Sequence, residues 1–186
     1  MERFEFIETV LTDLKVVKRK PIGDDRGHLC RLFCAETFAP HGFSTGIAQI
    51  NHTLTAKQGT VRGMHYQLPP HAEIKLVSCL RGKVFDVAVD LRKGSPTFMR
   101  WHAEILSAEN HTSLLIPQGF AHGFQTLTED CKLLYLHSMP YHKAAEGALN
   151  AIDPVVSIAW PHTITELSER DRSHPLLDQD FEGIVL

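Results

Sequence analysis

Apolar and polar positions alternate in short bursts along this chain and rarely fall into a helical period. Ile47-Ala48-Gln49-Ile50-Asn51-His52-Thr53 puts Gln49, Asn51 and Thr53 on one face and Ala48 and Ile50 on the other, the two-residue period of a strand. Trp101 to Leu106 alternates in the same way, Ser113 to Ile116 is a short apolar run, and Phe120 to Leu127 and Lys132 to Ser138 continue the series. Nearer the N-terminus, weak alternation over residues 1–22 is strongest at Val16-Val17, and Leu29 to Phe33 is a short strand candidate. Turn signals separate these runs at Gly23-Asp24-Asp25-Arg26-Gly27, Pro40-His41-Gly42, Lys93-Gly94-Ser95-Pro96-Thr97 and Pro117-Gln118-Gly119. Strands of about five to eight residues, with a turn roughly every ten, predict an all-β sandwich or barrel. Helical periodicity is confined to Thr163 to Arg172, where Ser168-Glu169-Arg170-Asp171 fits the start of a short helix with Ser168 as N-cap. No internal repeat or linker interrupts the pattern, so residues 1–186 are expected to form one domain.

The stretch from Gly59 to Asp90 breaks the apolar rule most sharply. On β-rich, apolar backbone it carries Arg62, His65, Lys75 and Asp86. Buried strands tolerate such groups where they converge on a pocket or pair with one another, so this stretch is read as the floor of an active site. Straight-strand alternation puts Arg62 and His65 on opposite faces. Both reach one pocket only if Gly63 marks a bulge or bend, a usual role for a strand glycine. Asp86, between Phe85 and Val87, needs a partner, and His122 and Lys75 are the candidates.

Composition narrows the function classes. The apolar fraction of 43% is that of a globular protein. A net charge of −3 and a pI near 6.4 provide no basic field for nucleic acid. Met1-Glu2-Arg3-Phe4-Glu5-Phe6 has acids where a secretory signal needs an apolar core, and no run approaches the roughly 18 apolar residues of a membrane span. A cytoplasmic protein with no membrane partner is expected. Cys30, Cys34, Cys79 and Cys131 have neither zinc-site nor redox-motif spacing and read as reduced thiols. Twelve histidines raise the question of a metal, but the closest pair, His137 and His142, lacks the i,i+4 relation of a helical site. No metal and no cofactor are expected.

Two segments, Arg62-Gly63-Met64-His65-Tyr66-Gln67 and Ile116-Pro117-Gln118-Gly119-Phe120-Ala121-His122-Gly123-Phe124, carry a resemblance to a known family. With Asp25-Arg26-Gly27, Gln49-Ile50-Asn51-His52, Lys75-Leu76-Val77, Val84 to Arg92, Ser95-Pro96-Thr97, Leu106 to Asn110 and Leu167 to Asp171, the chain resembles the dTDP-4-dehydrorhamnose 3,5-epimerases, the RmlC-type cupins, from about Gly23 to Pro175. The resemblance implies a cupin-type jelly-roll β-barrel with short C-terminal helices, paired as a homodimer. It also implies a nucleotide-sugar substrate and a place in carbohydrate (lipopolysaccharide) biosynthesis. Metal-binding cupins usually offer His-x-His, whereas this chain reads His65-Tyr66-Gln67.

Inverting a carbon beside a ketone needs a base on one face, a stabilised enolate and a proton donor on the other face. By resemblance, His65 is the base, Asp171 its orienting carboxylate, Tyr135 the donor, and Lys75 with Arg62 the positive groups near the keto oxygen and the pyrophosphate. Each also has a plainer reading: a backbone-bonded histidine, a helix-capping acid for Asp171, and a core tyrosine. Arg26, Gln49, Asn51, His122, Glu146, Arg170 and Tyr141 fall where the family contacts its nucleotide sugar, with Tyr141 stacking on the base.

Three departures bear on specificity rather than chemistry. Arg26-Gly27-His28-Leu29-Cys30-Arg31 replaces the family's Arg-Gly-x-Phe-x-Glu, which reverses a charge at Arg31. Ala151-Ile152 stand where Trp-Asn is common, and Leu136 replaces a lysine. The nucleotide and the choice between inversion at C3, C5 or both stay open. So does a mono-epimerase or isomerase serving another sugar. A metal-dependent cupin oxygenase would need an added ligand at position 67 or elsewhere. A non-catalytic sugar sensor would bind without turnover, and no signalling segment accompanies it in this sequence.

Overall fold

The computed structural model describes residues 2–178 and 180–186. Thirteen strands follow in chain order: β1 (Phe4–Glu8), β2 (Lys15–Arg19), β3 (Ile22–Asp24), β4 (Gly27–Leu29), β5 (Gln49–Thr55), β6 (Val61–Gln67), β7 (Lys75–Arg81), β8 (Lys83–Asp90), β9 (Trp101–Ser107), β10 (Thr112–Ile116), β11 (Phe120–Thr126), β12 (Cys131–His137) and β13 (Glu146–Ala148). Two single-turn α-helices, α1 (Ala35–Phe38) and α2 (Glu169–Arg172), and two 3-10 turns, Ala39–His41 and Lys143–Ala145, complete the regular structure of the described residues. A six-stranded sheet in the order β1-β2-β10-β7-β12-β5 faces a five-stranded sheet in the order β13-β6-β11-β8-β9, and β3 pairs with β4 alone. All pairings within the sheets are antiparallel. Among the described residues no helix is long and apolar enough to cross a membrane.

Apolar side chains fill three spaces. Between the sheets lie Val77, Cys79, Val84, Ala88, Leu114, Phe120, Phe124 and Leu133. The outer face of the six-stranded sheet offers Phe4, Val17, Leu76, Leu115 and Leu136, covered by Phe38 of α1 and by Phe43. The outer face of the five-stranded sheet offers Val61, Met64, Val87, Val89 and Ala121, covered by the C-terminal segment through Val156, Trp160, Ile164, Leu167 and Leu177. Because both outer faces are covered, central strands such as β8 and β10 read as nearly continuous apolar runs instead of clean alternation. The four cysteines are unpaired, and burial pushes the Cys79 thiol up to about 12.

Two sequence expectations need correction. Of the strand expected over Leu29 to Phe33, only Leu29 is in a strand, as the end of β4. The chain then leaves the hairpin so that Phe33 can pack on Phe38 and Phe43. Helix is restricted to Glu169–Arg172 within Thr163 to Arg172. Residues 165 and 166 are held extended, because the Thr165 N–H donates to the Gly59 carbonyl at 3.0 Å and the Val61 N–H to the Glu166 carbonyl at 2.9 Å. The N-cap is as expected, with the Ser168 hydroxyl accepting from the Asp171 N–H at 3.0 Å.

The decisive irregularity is in β6. Its register against β11 pairs Phe124 with Arg62 and His122 with His65, so three steps along β6 match two along β11. The extra residue is a bulge centred on Gly63, whose φ is +116°. It sends Val61 and Met64 outward beneath the C-terminal segment while Arg62 and His65 both face the space between the sheets. A Cβ at position 63 would meet the Gly123 Cα at 2.6 Å and the His122 carbonyl oxygen at 2.7 Å, both backbone atoms with no rotamer to escape into. Gly63→Ala should therefore lower unfolding stability by roughly 2–4 kcal/mol, read as a shift in urea midpoint at unchanged slope.

Candidate active site

A cavity of about 740 Å³ opens between the sheets, lined from both sides by β5, β6, β7, β11 and β12 and bordered at its mouth by the C-terminal segment. That volume suits a ligand larger than a single sugar.

On the five-stranded side, the Nε2 of His65 lies 2.7 Å from the Asp171 Oδ1. Asp171 sits in the first turn of α2, its Oδ2 accepting from the Gly63 N–H at 3.4 Å and its own N–H held by Ser168. Burial alone would push its carboxyl up. The hydrogen bond and charge of His65, with the Gly63 and Ser168 bonds, outweigh that and hold it below the usual carboxylate range. The carboxylate is thus committed to His65 and Gly63, and the cap of α2 is made by the Ser168 hydroxyl instead. An ionised Asp171 requires the proton on Nε2, so Nδ1 of His65 keeps a free lone pair. Deeper in, His122 Nε2 meets both oxygens of the fully buried Asp86 at 3.0 and 2.9 Å. This settles the partner of Asp86.

The six-stranded side supplies Tyr135, Lys75 and Asn51. The Tyr135 ring lies 6.0 Å from those of His122 and His137. Burial, then the nearby Asp86 carboxylate, pushes its phenol well above the ordinary tyrosine value. The Lys75 ammonium donates to the His65 carbonyl at 3.2 Å and pairs with Glu73 at 3.2 Å. Glu73 also accepts from His137 Nδ1 at 2.8 Å, and His137 Nε2 lies 3.4 Å from the Asn51 amide. Glu73 and His137 are site residues the sequence reading missed. Both lie two positions from a chosen residue, Lys75 and Tyr135, and His137 shares the Tyr135 face of β12, which is the signal that could have found it.

At the mouth, the Tyr141 hydroxyl donates to Glu146 at 2.9 Å, and Arg170 pairs with the same carboxylate. The side-chain amide oxygen of Gln49, Oε1, accepts the Tyr141 N–H at 2.9 Å. Arg62 lines the cavity too and is exposed. Arg26 does not join them. It stands on the separate β3–β4 hairpin with its side chain 90% exposed, its guanidinium 2.6 Å from Asp24. That hairpin pairs with neither main sheet, which carries Arg26 away from the cavity of its own chain.

The departures from the family pattern also lie outside the cavity. Leu136 points to the outer face beneath Phe38 and Phe43, Ala151 is buried under the five-stranded sheet, and Leu29, Arg31 and Ile152 are exposed. Gln67 is committed to structure, donating to the His71 and Pro140 carbonyls and accepting from the His142 N–H at 2.6 Å.

The family model described as dTDP-4-dehydrorhamnose 3,5-epimerase matches residues 8–179. The chain belongs to this family. Among the dTDP-4-dehydrorhamnose 3,5-epimerases, that of Sinorhizobium fredii is 41% identical over 178 residues, covering 95% of this chain and 91% of the relative. The Bacillus anthracis enzyme, whose crystal structure holds TDP and PPi, superposes with a TM-score of 0.90 at 40% identity over 94% of this chain and 99% of that one. The Legionella pneumophila enzyme, in complex with dTDP-4-keto-L-rhamnose, gives a TM-score of 0.88 at 38% identity over 93% and 92% of the two chains. The all-β cupin jelly roll is thus common to the family and to this chain.

Buried charge in a family-type cavity has a measurable acid dependence. Burial would raise the Glu73 carboxyl, but the His137 hydrogen bond and the Lys75 charge bring it below its ordinary value. A lowered folded pKa contributes stability above the unfolded value of about 4.3, and that stability is lost as pH falls through the folded value. Glu73→Gln removes this contribution, so between about pH 6 and about pH 3 the melting temperature of the variant should fall less steeply than that of wild type.

Proposed function

We propose that this chain is a carbohydrate epimerase that inverts carbons flanking the ketone of a dTDP-linked 4-keto-6-deoxy sugar, in dTDP-rhamnose biosynthesis. The observation that carries the mechanism is the His65–Asp171 pair on one sheet facing Tyr135 on the other across a single cavity. His65 Nδ1 takes the proton α to the carbonyl, and Asp171 keeps the ring in that tautomer and offsets the imidazolium that forms. Lys75, with Arg62 at the exposed side, stabilises the enolate oxygen and the neighbouring phosphates. Tyr135 delivers a proton from the opposite face. Its raised pKa keeps the phenol protonated until the transfer.

Gln49, Asn51 and His122 hold the sugar. Tyr141, Glu146 and Arg170 form the nucleotide end of the site, where Tyr141 offers an exposed ring to a base and Arg170 a charge to a phosphate. Arg31 and the other departures lie away from the cavity, which supports thymidine as the nucleotide. The chain acts as one catalytic domain in the cytoplasm, serving polysaccharide synthesis such as that of lipopolysaccharide. It pairs as a homodimer, a reading supported by the family and by Ile50 and Leu54, which are 59% and 50% exposed on β5 at the free edge of the larger sheet. A Leu54→Lys variant should sediment as a monomer where wild type sediments as a dimer.

The chemistry is tested by incubating the protein with dTDP-4-keto-6-deoxyglucose in D2O and reading the sugar by NMR. Wild type should place deuterium at C3 and C5 with inversion. His65→Ala and Asp171→Asn should lose about 10²- to 10⁴-fold in rate. Tyr135→Phe should still exchange deuterium through His65 while inversion is suppressed. Label at one carbon alone would make the enzyme a mono-epimerase, and no exchange by wild type would defeat the reading.

A further inference from the structure

One side chain beside the dyad has no part in that chemistry. His174 follows α2 in Ser173-His174-Pro175, and its backbone carbonyl accepts from the Asn150 side-chain amide at 2.7 Å, which fixes the position of the residue. Its ring packs against His65 with centroids 6.3 Å apart and planes at 78°. Its Nε2 is buried with no hydrogen-bond partner among the described residues. One donor atom from each of His65, Asp171 and His174 lies within 4.8 Å of the other two. A proton-transfer dyad needs no second imidazole, and an orphaned buried nitrogen costs stability that a ligand would recover.

We propose that His65, Asp171 and His174 form a binding site for a divalent transition metal of the zinc class, and that metal bound there switches the base off. Two imidazoles and one carboxylate select zinc, cobalt or nickel over magnesium or calcium, and three protein ligands leave a position for water or substrate. His65 and Asp171 already touch, so His174 is the ligand that must close on them, and it sits on a connection, not within a strand.

The inhibition follows from proton placement. Without metal, His65 carries its proton on Nε2, toward Asp171, and Nδ1 is the base. A metal on Nε2 takes that place, and the single proton of the neutral ring moves to Nδ1. The ring then has no lone pair with which to accept a proton from carbon. Binding stands on the geometry alone, whereas inhibition rests on the epimerase reading given above.

The test uses the full chain freed of metal with a chelator and titrated with Co²⁺, followed by its visible d–d absorption. Wild type should show a saturable one-to-one spectrum that Zn²⁺ displaces. His174→Ala, and the bulkier His174→Gln as a guard against misfolding, should bind at least about tenfold more weakly. In parallel, Zn²⁺ should inhibit solvent deuterium exchange by wild type, EDTA should restore it, and both His174 variants should turn over normally and resist the metal. Absence of a saturable cobalt spectrum, or equal affinity in the variants, overturns the site. A normal cobalt spectrum with unaffected exchange overturns the inhibition and leaves the site standing. Should wild type show no exchange under any condition, the epimerase reading fails and the cobalt titration alone decides the site.

Discussion

Everything at the centre of this molecule depends on one residue too many in β6. In an unbroken strand Arg62 and His65 would face opposite ways, and one of them would be driven into the apolar layer beneath the C-terminal segment. The bulge at Gly63 absorbs that mismatch, and its positive φ and the close approach of Gly123 explain why glycine stands there. The same residue then offers its N–H to Asp171, so the feature that aims the imidazole also helps anchor the carboxylate that orients it.

The cavity built on this bulge is rich in charge yet almost fully paired. Three imidazoles each meet a carboxylate: His65 with Asp171 at 2.7 Å, His122 with Asp86 at 2.9 Å and His137 with Glu73 at 2.8 Å. Pairing of this kind offsets the desolvation of each acid and fixes which ring nitrogen holds the proton. It leaves Nδ1 of His65 and of His122 for a ligand, while Nε2 of His137 is met by the Asn51 amide. Glu73 compensates the buried Lys75 ammonium, so the cation is held in place without an unpaired charge in the interior.

Much of this could be read from residues alone, for identifiable reasons. Polar residues on apolar β-backbone pointed to Arg62, His65, Lys75 and Asp86 because burial makes such groups costly unless they converge. Straight-strand geometry then required a bulge at Gly63, which the register bears out. What escaped was set by tertiary contact. Leu29 to Phe33 looked like a strand by composition, but its aromatic end serves the outer core around Phe38. Residues 163–167 carried a helical period that pairing with Gly59 and Val61 overrides. Arg26 matched a motif but rides a hairpin with no strand of either sheet beside it. Glu73 and His137 went unnoticed because their partners are each other, 64 residues apart.

Asp171 comes from a segment that joins no strand of the five-stranded sheet by more than the Thr60 to Glu166 bridge, and it lies 106 residues beyond the histidine it orients. Four strands of the sheet that bears His65 end by Thr126, well before Asp171 in the chain, and the fifth, β13, ends at Ala148. The dyad is complete only where the segment after Asp153 lies over that sheet and its one-turn helix meets Gly63. Loosening of that strap would part the carboxylate from the imidazole, and so free the tautomer, while leaving every strand pairing of the two sheets in place.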